Sequence, residues 1–402
     1  MRLVHFSDAH LGFRQFDRVT PTGINQREAD VGQTFTRLID QVIALRPDLI
    51  VIPGDVFHQA RPTNSAVVHA FLQFKRLVDA LPGAIVVMVA GNHDLSRTSD
   101  TGGILPLFAP LGIHVIDRAP KQLYFADRNL SVLGVPDAPG MLRPTFTPDP
   151  RARFNVLCIH GEAEGAKQVA GGHRASLSEI SSEEINAPAW TYCAFGHYHQ
   201  YEQLAPNAYY SGSIDFTSSN PWSERAAKGF IERDLATGAH TFHELTPSRR
   251  YIDLPSIDAA GLAPGDVDAR IQETLDAHEI DGQVARLVVA NITREVGHAL
   301  DHRALRLAKR RAMNFSLELR RPEREARSPI ASSYAELRAR SLPDILVERL
   351  GRRPAVADVD GARLQAMALK YLEQAGEHDT NRAVSEPAAI ATLELPPQRK
   401  AS

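Results

Sequence analysis

The chain has 402 residues, 43% of them apolar, with 45 Lys/Arg against 48 Asp/Glu and a net charge of −3. That length predicts two or three domains, and the near-balanced charge excludes a polycation that grips nucleic acid by bulk charge alone. No apolar run approaches the ~20 residues of a bilayer-spanning helix, and the first strand begins at Leu3 without a basic and apolar leader, so a cytoplasmic protein is expected.

In chain order, five apolar runs each end in a short polar motif. Leu3–Phe6 leads to Asp8-x-His10, Leu49–Pro53 to Gly54-Asp55, and Ile85–Val89 to Gly91-Asn92-His93-Asp94. Asn155–Ile159 leads to His160-Gly161, and Tyr192–Phe195 to Gly196-His197-Tyr198-His199. Rich in β-branched and aromatic residues, each run reads as a buried strand. The two cysteines, Cys158 and Cys193, fall inside two of these strands and read as core residues in a reducing compartment.

Between the first strands, Val31, Phe35, Leu38, Val42 and Leu45 recur at helical spacing. Val67, Phe71, Phe74, Val78 and Leu81 repeat it after Thr63, a predicted N-cap. This alternation predicts an α/β sandwich. Strands near Gln122–Phe125 and Ser131–Val135 follow, then a Pro/Asp-rich surface loop over Pro136–Pro150. Ala208–Tyr210, Gly229–Arg233 and Thr241–Leu245 read as antiparallel strands of a second sheet.

From Tyr251 the pattern changes to a small βαβαβ unit: strand Tyr251–Leu254, helix Val267–Ile280, strand Val284–Ala290, helix His302–Met313, strand Asn314–Arg320. It carries no polar cluster of metal-binding type and reads as a separate cap. Beyond it, Ser333-x-x-Glu336 fits a capping box, and Pro343 starts a short helix closing at Gly351. A further helix over Gly361–Gln374 presents Leu364, Met367, Ala368, Tyr371 and Leu372 as an apolar stripe suited to a partner. From Gly376 the composition predicts disorder. Asp301 to Arg353 holds 14 Lys/Arg against 7 Asp/Glu, a segment suited to an anionic partner or to a solvated helical face.

Polar residues at the ends of neighbouring strands converge at one sheet edge. A phosphodiester repels nucleophiles and has a poor leaving group, and two cations about 3.5–4 Å apart address both problems if one carboxylate bridges them. Asp55, on a tight Gly-Asp turn, is the candidate bridge. One metal would be held by Asp8, His10, Asp55 and His199, the second by Asp55, Asn92, His160 and His197. The imidazole-rich set disfavours magnesium and calcium and suits manganese, iron, cobalt or zinc. His93, beside a ligand, is the candidate for stabilising the transition state or protonating the leaving oxygen, with Asp94 expected to fix its ring. His58 is expected to orient the scissile phosphate. His5 reads as a core residue, and His69, His173, His278 and His298 as surface or supporting groups.

Asp8-Ala-His10-Leu11-Gly12-Phe13-Arg14-Gln15-Phe16, Arg27-Glu28-x-Asp30, Gly54-Asp55-Val56-Phe57-His58, Gly91-Asn92-His93-Asp94 and Tyr210-Ser211-Gly212-Ser213 resemble the SbcD-type DNA double-strand-break repair nucleases of the calcineurin-like metallophosphoesterase family. The resemblance is tightest over residues 1–217, and the stretch Asp17–Gln26 departs from it by its length. It implies a metallophosphoesterase β-sandwich flanked by helices (1–250), a small α/β cap (251–328), partner-binding helices (329–375) and a tail (376–402). It further implies a manganese-dependent exonuclease and endonuclease on DNA ends, with the ligands above and His93 and His58 as functional non-ligands. An SbcC-type ATPase bound through the C-terminal helices is implied, as is a homodimer through Asn64–Ala80 and Ile104–Leu111, where Leu105, Leu107 and Phe108 are candidate exposed residues. The alternatives are a general phosphoesterase on small or protein substrates, and a non-enzymatic tether of DNA ends.

Overall fold

The computed structural model of the chain describes residues 1–95, 103–138, 140–166, 179–224, 226–322, 343 and 361–380, with the side chains of 362–371 in the last stretch. The chain divides into two units, Met1–Pro322 and Glu323–Ser402.

Two six-stranded sheets build the first unit. The first runs, in spatial order, His240–Leu245, Lys228–Asp234, Arg2–His5, Leu49–Pro53, Ile85–Val89 and His114–Ile116. Its last four strands are mutually parallel; Lys228–Asp234 adds antiparallel to Arg2–His5, and His240–Leu245 adds antiparallel to Lys228–Asp234. The second runs Glu202–Ala205, Ala208–Tyr210, Tyr192–Gly196, Phe154–His160, Leu130–Val135 and Lys121–Phe125, parallel in its four central strands.

Both faces of these strands are buried, which is why they read as continuous apolar runs. Val4, Ile50, Ile52 and Met88 face outward onto Val31, Phe35, Leu38 and Val42 of helix Gln26–Leu45 and onto Phe74 of helix Asn64–Ala80. The alternate residues Leu3, Val51, Val87 and Val89 face inward against Val132, Val156, Cys158 and Ala194 of the second sheet. The α/β sandwich expected from the alternation is therefore the observed fold. Both helices begin where a side-chain oxygen satisfies an orphan N–H: Asn25 accepts from Arg27 and Thr63 from Ala66.

Three expectations change. Lys228–Asp234 and His240–Leu245 complete the first sheet, not a second one, because Leu3 pairs with Arg233, 230 residues further along the chain, and His240–Leu245 pairs with Lys228–Asp234. Leu105 and Phe108 are core residues packed with Phe57 and Phe74, and only Leu107 of that trio is exposed. The last helix runs Gly361–Thr380, past the Gly376 at which disorder was expected.

The unit ends in a parallel sheet with Val284–Ala290 at its centre, flanked by Tyr251–Asp253 and Ile257–Asp258 on one side and Asn314–Leu319 on the other. Val267, Ile271 and Leu275 of helix Pro264–Asp276 pack on Ala285, Leu287 and Val289 to form its own core. Arg249 binds Asp30, Tyr251 Oη donates to Gln15, and Arg18 of the long loop donates to the carbonyls of Lys309, Arg310 and Ala312, tying this sheet to the sandwich.

In the second unit, helix Gly361–Thr380 exposes Leu364, Met367 and Tyr371. The capping box at 333–336, the helix closing at 351, His173 and residues 381–402 lie outside the described residues. Among the described residues no helix is long and apolar enough to cross a membrane.

Candidate metal centre

Asp8, His10, Asp55, Asn92 and His93 follow parallel strands of the first sheet, while His160, His197 and His199 end or follow neighbouring strands of the second. All leave at the carboxyl ends of their strands, so eight side chains far apart in sequence meet at one rim. The loops are laced together by backbone bonds: Asp8 N–H donates to Gly54 at 3.1 Å, His10 N–H to Asp55 at 2.9 Å and His58 N–H to Leu11 at 3.0 Å.

Close approach needs bare backbone. A Cβ on Gly54, which has φ +90°, would lie 2.2 Å from His160 Nδ1, and one on Gly91 would lie 2.1 Å from Asp55 Oδ1. Asp8, His10, Asp55 and His197 themselves hold positive φ values of 52°, 45°, 51° and 114°. Non-glycine residues in that region are strained, and four at one rim mark a place where packing overrides local preference.

Asp55 Oδ2 lies 3.6 Å from Nε2 of His10 and 3.6 Å from Nε2 of His160. On one side, His10 Nε2 is 2.9 Å from His199 Nε2, and the ligating atoms of Asp8, His10 and His199 cluster together. On the other, His160 Nε2 is 2.9 Å from Asn92 Oδ1, and Asp8, Asp55 and His160 cluster. His160 Nδ1 donates to the Pro53 carbonyl at 2.9 Å, which leaves Nε2 as its open donor atom. His197 packs its ring against His160 and sets Nε2 3.2 Å from Glu162.

Burial raises the Asp8 carboxyl to about 7, and burial together with the neighbouring imidazoles holds His10 well below the usual histidine range. Such a cluster, poor in positive charge and rich in neutral nitrogen and carboxylate oxygen, fits divalent cations, whose charge restores the carboxylates to their ionised form.

His93 and His58 face the same cleft of about 310 Å³, with Phe13, Arg14, Thr217 and Ser218 also on its wall. Burial, then the neighbouring His93, lowers His58 to about 4. Asp94 does not play the part expected of it. His93 Nδ1 bonds the His58 carbonyl at 2.8 Å, while the Asp94 carboxylate accepts from the backbone N–H groups of Gly91, Phe57 and Val56. Asp94 thus shapes the loop that presents Asn92 and His93.

Several supporting residues were not anticipated. Glu224 lies 3.5 Å from His199 Nδ1 and is paired with the buried Lys228, whose ammonium also donates to the His199 carbonyl at 2.9 Å. Ser211 meets Ser7 at 2.9 Å, and Ser7 donates to Asp8, which gives the Tyr-Ser-Gly-Ser motif a place at the site. No local spacing signals Glu224 or Lys228. His5 is a core residue as expected, bonded to Tyr192 Oη at 2.9 Å and to the Phe195 carbonyl at 3.1 Å.

The family model for calcineurin-like phosphoesterases matches residues 1–201. The chain is similar to DNA double-strand break repair protein Mre11 of Methanopyrus kandleri, 26% identical over 316 residues, covering 72% of this chain and 64% of that protein. It is similar to the protein of the same name from Saccharolobus solfataricus, 26% identical over 227 residues covering 55% and 54%. The Sulfolobus acidocaldarius protein is 40% identical over 101 residues, 25% of this chain and 24% of its own. The chain thus spans between about a quarter and just under two thirds of these relatives. Every residue brought to the rim, from Asp8 to His199, lies inside the matched half, and the chain belongs to the calcineurin-like phosphoesterase family.

Proposed function

We propose that the chain is a two-metal phosphodiesterase, a DNA exonuclease and endonuclease acting at ends in double-strand-break repair. Asp55 Oδ2, set 3.6 Å from an imidazole of each cluster, carries this reading: one carboxylate shared between two donor sets fits a pair of cations. One would be held by Asp8, His10, Asp55 and His199, the other by Asp55, Asn92, His160 and His197; manganese suits these nitrogen and oxygen donors. Bound there, the pair supplies positive charge to a phosphate and acidifies water.

The protein's own groups do the rest. With Nδ1–H committed to the His58 carbonyl, Nε2 is the ring atom of His93 left to carry a proton to the leaving oxygen. His58, stacked on that ring, borders the cleft where the scissile phosphate lies.

The relatives' printed name, DNA double-strand break repair protein, supports DNA as substrate. So does helix His302–Arg311 of the cap, which exposes Arg303, Arg306, Lys309, Arg310 and Arg311. In this reading 1–250 is the nuclease domain, 251–328 the cap and 329–375 the segment that docks on an SbcC-type ATPase, through the stripe Leu364, Met367 and Tyr371. Val68 and Leu72 of helix Asn64–Ala80, exposed like Leu107, suit a homodimer in the cytoplasm.

The test is cleavage of an end-labelled duplex with manganese by wild type, His93→Ala and Asp55→Ala. Degradation by wild type alone is expected. Hydrolysis confined to small phosphoesters, with the ATPase partner present, would sink the nuclease reading in favour of a general phosphoesterase.

A further inference from the structure

Thr217 and Ser218 are 2% and 5% exposed, and neither hydroxyl has a hydrogen-bond partner. Both line the metal cleft, together with His197, His199 and His58. Buried hydroxyls almost always find partners, because lost hydration is otherwise unrepaid. Those nearby in the same loop do: Ser211 meets Ser7 at 2.9 Å, and Ser213 donates to the Asp215 carbonyl at 2.8 Å.

The backbone that carries the two orphans is pinned. Arg27, fully buried, donates to Asp215 at 2.9 Å and to the Phe216 carbonyl at 3.0 Å, and Thr34 donates to Asp215 at 2.7 Å. The Phe216 ring sits 5.0 Å from the Lys228 ammonium and 4.8 Å from the Tyr251 ring. The segment is therefore anchored through Asp215 and Phe216, directly before two cleft-lining residues whose hydroxyls have no partner.

We infer that Thr217 and Ser218 form a phosphate subsite, donating two neutral hydrogen bonds to the non-bridging oxygens of a phosphodiester in the cleft. This rests on the reading of the cleft as a phosphoesterase site. Hydroxyl contacts of this kind fix a backbone phosphate without reading sequence. Arg14, largely exposed on the same wall, adds charge.

The variants are Thr217→Val, Ser218→Ala, the double variant, and Thr217→Ser as the conservative control. Inorganic phosphate is titrated by calorimetry into manganese-loaded full-length protein, and manganese into metal-free protein. Each single loss is expected to weaken phosphate binding roughly three- to tenfold, and the double more, with Thr217→Ser close to wild type. Manganese affinity stays constant throughout. On a phosphodiester, KM rises by the same factors while kcat holds. Unchanged phosphate affinity in the double variant overturns the subsite, as does failure of wild type to bind phosphate. A parallel loss of manganese affinity also overturns it, because it marks a merely structural role. Duplex cleavage separates the two ideas. If wild type cuts DNA and the variants match it in phosphate affinity and KM, the subsite falls and the nuclease reading stands. If the variants lose phosphate but wild type leaves DNA intact, the subsite stands and the nuclease reading falls.

Discussion

Nδ1 of His93 donates to the backbone carbonyl of His58 at 2.8 Å, and the two rings stack with centroids 5.3 Å apart. A carbonyl only accepts, so the bond fixes the His93 tautomer and leaves Nε2 facing the chemistry. Because the acceptor is main chain, His58→Ala keeps that tautomer. His93→Ala is expected to lower kcat by about 10²–10⁴-fold with manganese stoichiometry intact, as loss of a general acid does. His58→Ala is expected to raise KM more than it lowers kcat. Steady-state kinetics beside a manganese titration checks both, and loss of metal by His93→Ala would make that residue a ligand instead.

Lys228 and Glu224 form an ion pair almost wholly out of water, directly behind His199. Burial opposes the Glu224 charge, but Lys228 and His199 outweigh it and hold the carboxyl well below its usual range. Removing the ammonium strands a buried carboxylate. Lys228→Met is expected to cost about 3–5 kcal/mol in urea unfolding, and adding Glu224→Gln to restore most of it. A Lys228→Met protein as stable as wild type would show that the pair is not closed in solution.

His5 gives a pH dependence with a definite sign. Burial lowers its imidazole from 6.5 to about 3, so between those values the unfolded chain holds a proton that the folded protein lacks. Stability therefore falls as pH drops through that window, by up to about 1.4 kcal/mol per pH unit from this group. With metal chelated, His5→Leu is expected to flatten the dependence of the unfolding midpoint between pH 6 and 4 by roughly one proton. Parallel curves for the two proteins would refute it.

The cap helix His302–Arg311 presents its cations as a row, and phosphate contacts made by such a row release counterions. Charge reversal at Arg306 and Arg310 is expected to weaken duplex binding regardless of sequence and to cut the slope of log K against log salt by about 0.9 per lost contact. Fluorescence anisotropy across a salt series measures it; an unchanged slope places the duplex elsewhere.

Gly91 sits where a Cβ would lie 2.1 Å from Asp55 Oδ1. Gly91→Ala is expected to abolish high-affinity manganese binding while the fold, read by circular dichroism, persists. Normal metal affinity would mean that the rim yields more than its backbone suggests.

The five strands and the polar residues that end them were legible in the sequence, because a buried strand writes its apolar run locally and a ligand needs a particular side chain. The caps Asn25 and Thr63 follow the same local rule, and Thr63 is legible from the helical spacing that begins after it. Partnership across the chain was not legible. Lys228–Asp234 joins the first sheet through Leu3 and Arg233, 230 residues apart, and strand pairing is made by backbone groups that every sequence shares. Phe108 and Leu107 differ in burial because one faces Phe57 and Phe74 across a tertiary contact. Asp94 turned to three backbone N–H groups instead of an imidazole; Thr217 and Ser218 reached the site from a loop, and Lys228 from the first position of a strand, without a recognisable pattern. The sequence determined which atoms were available as ligands and that they end strands. Only the tertiary structure decided what stands behind them, since those contacts depend on where distant backbones meet.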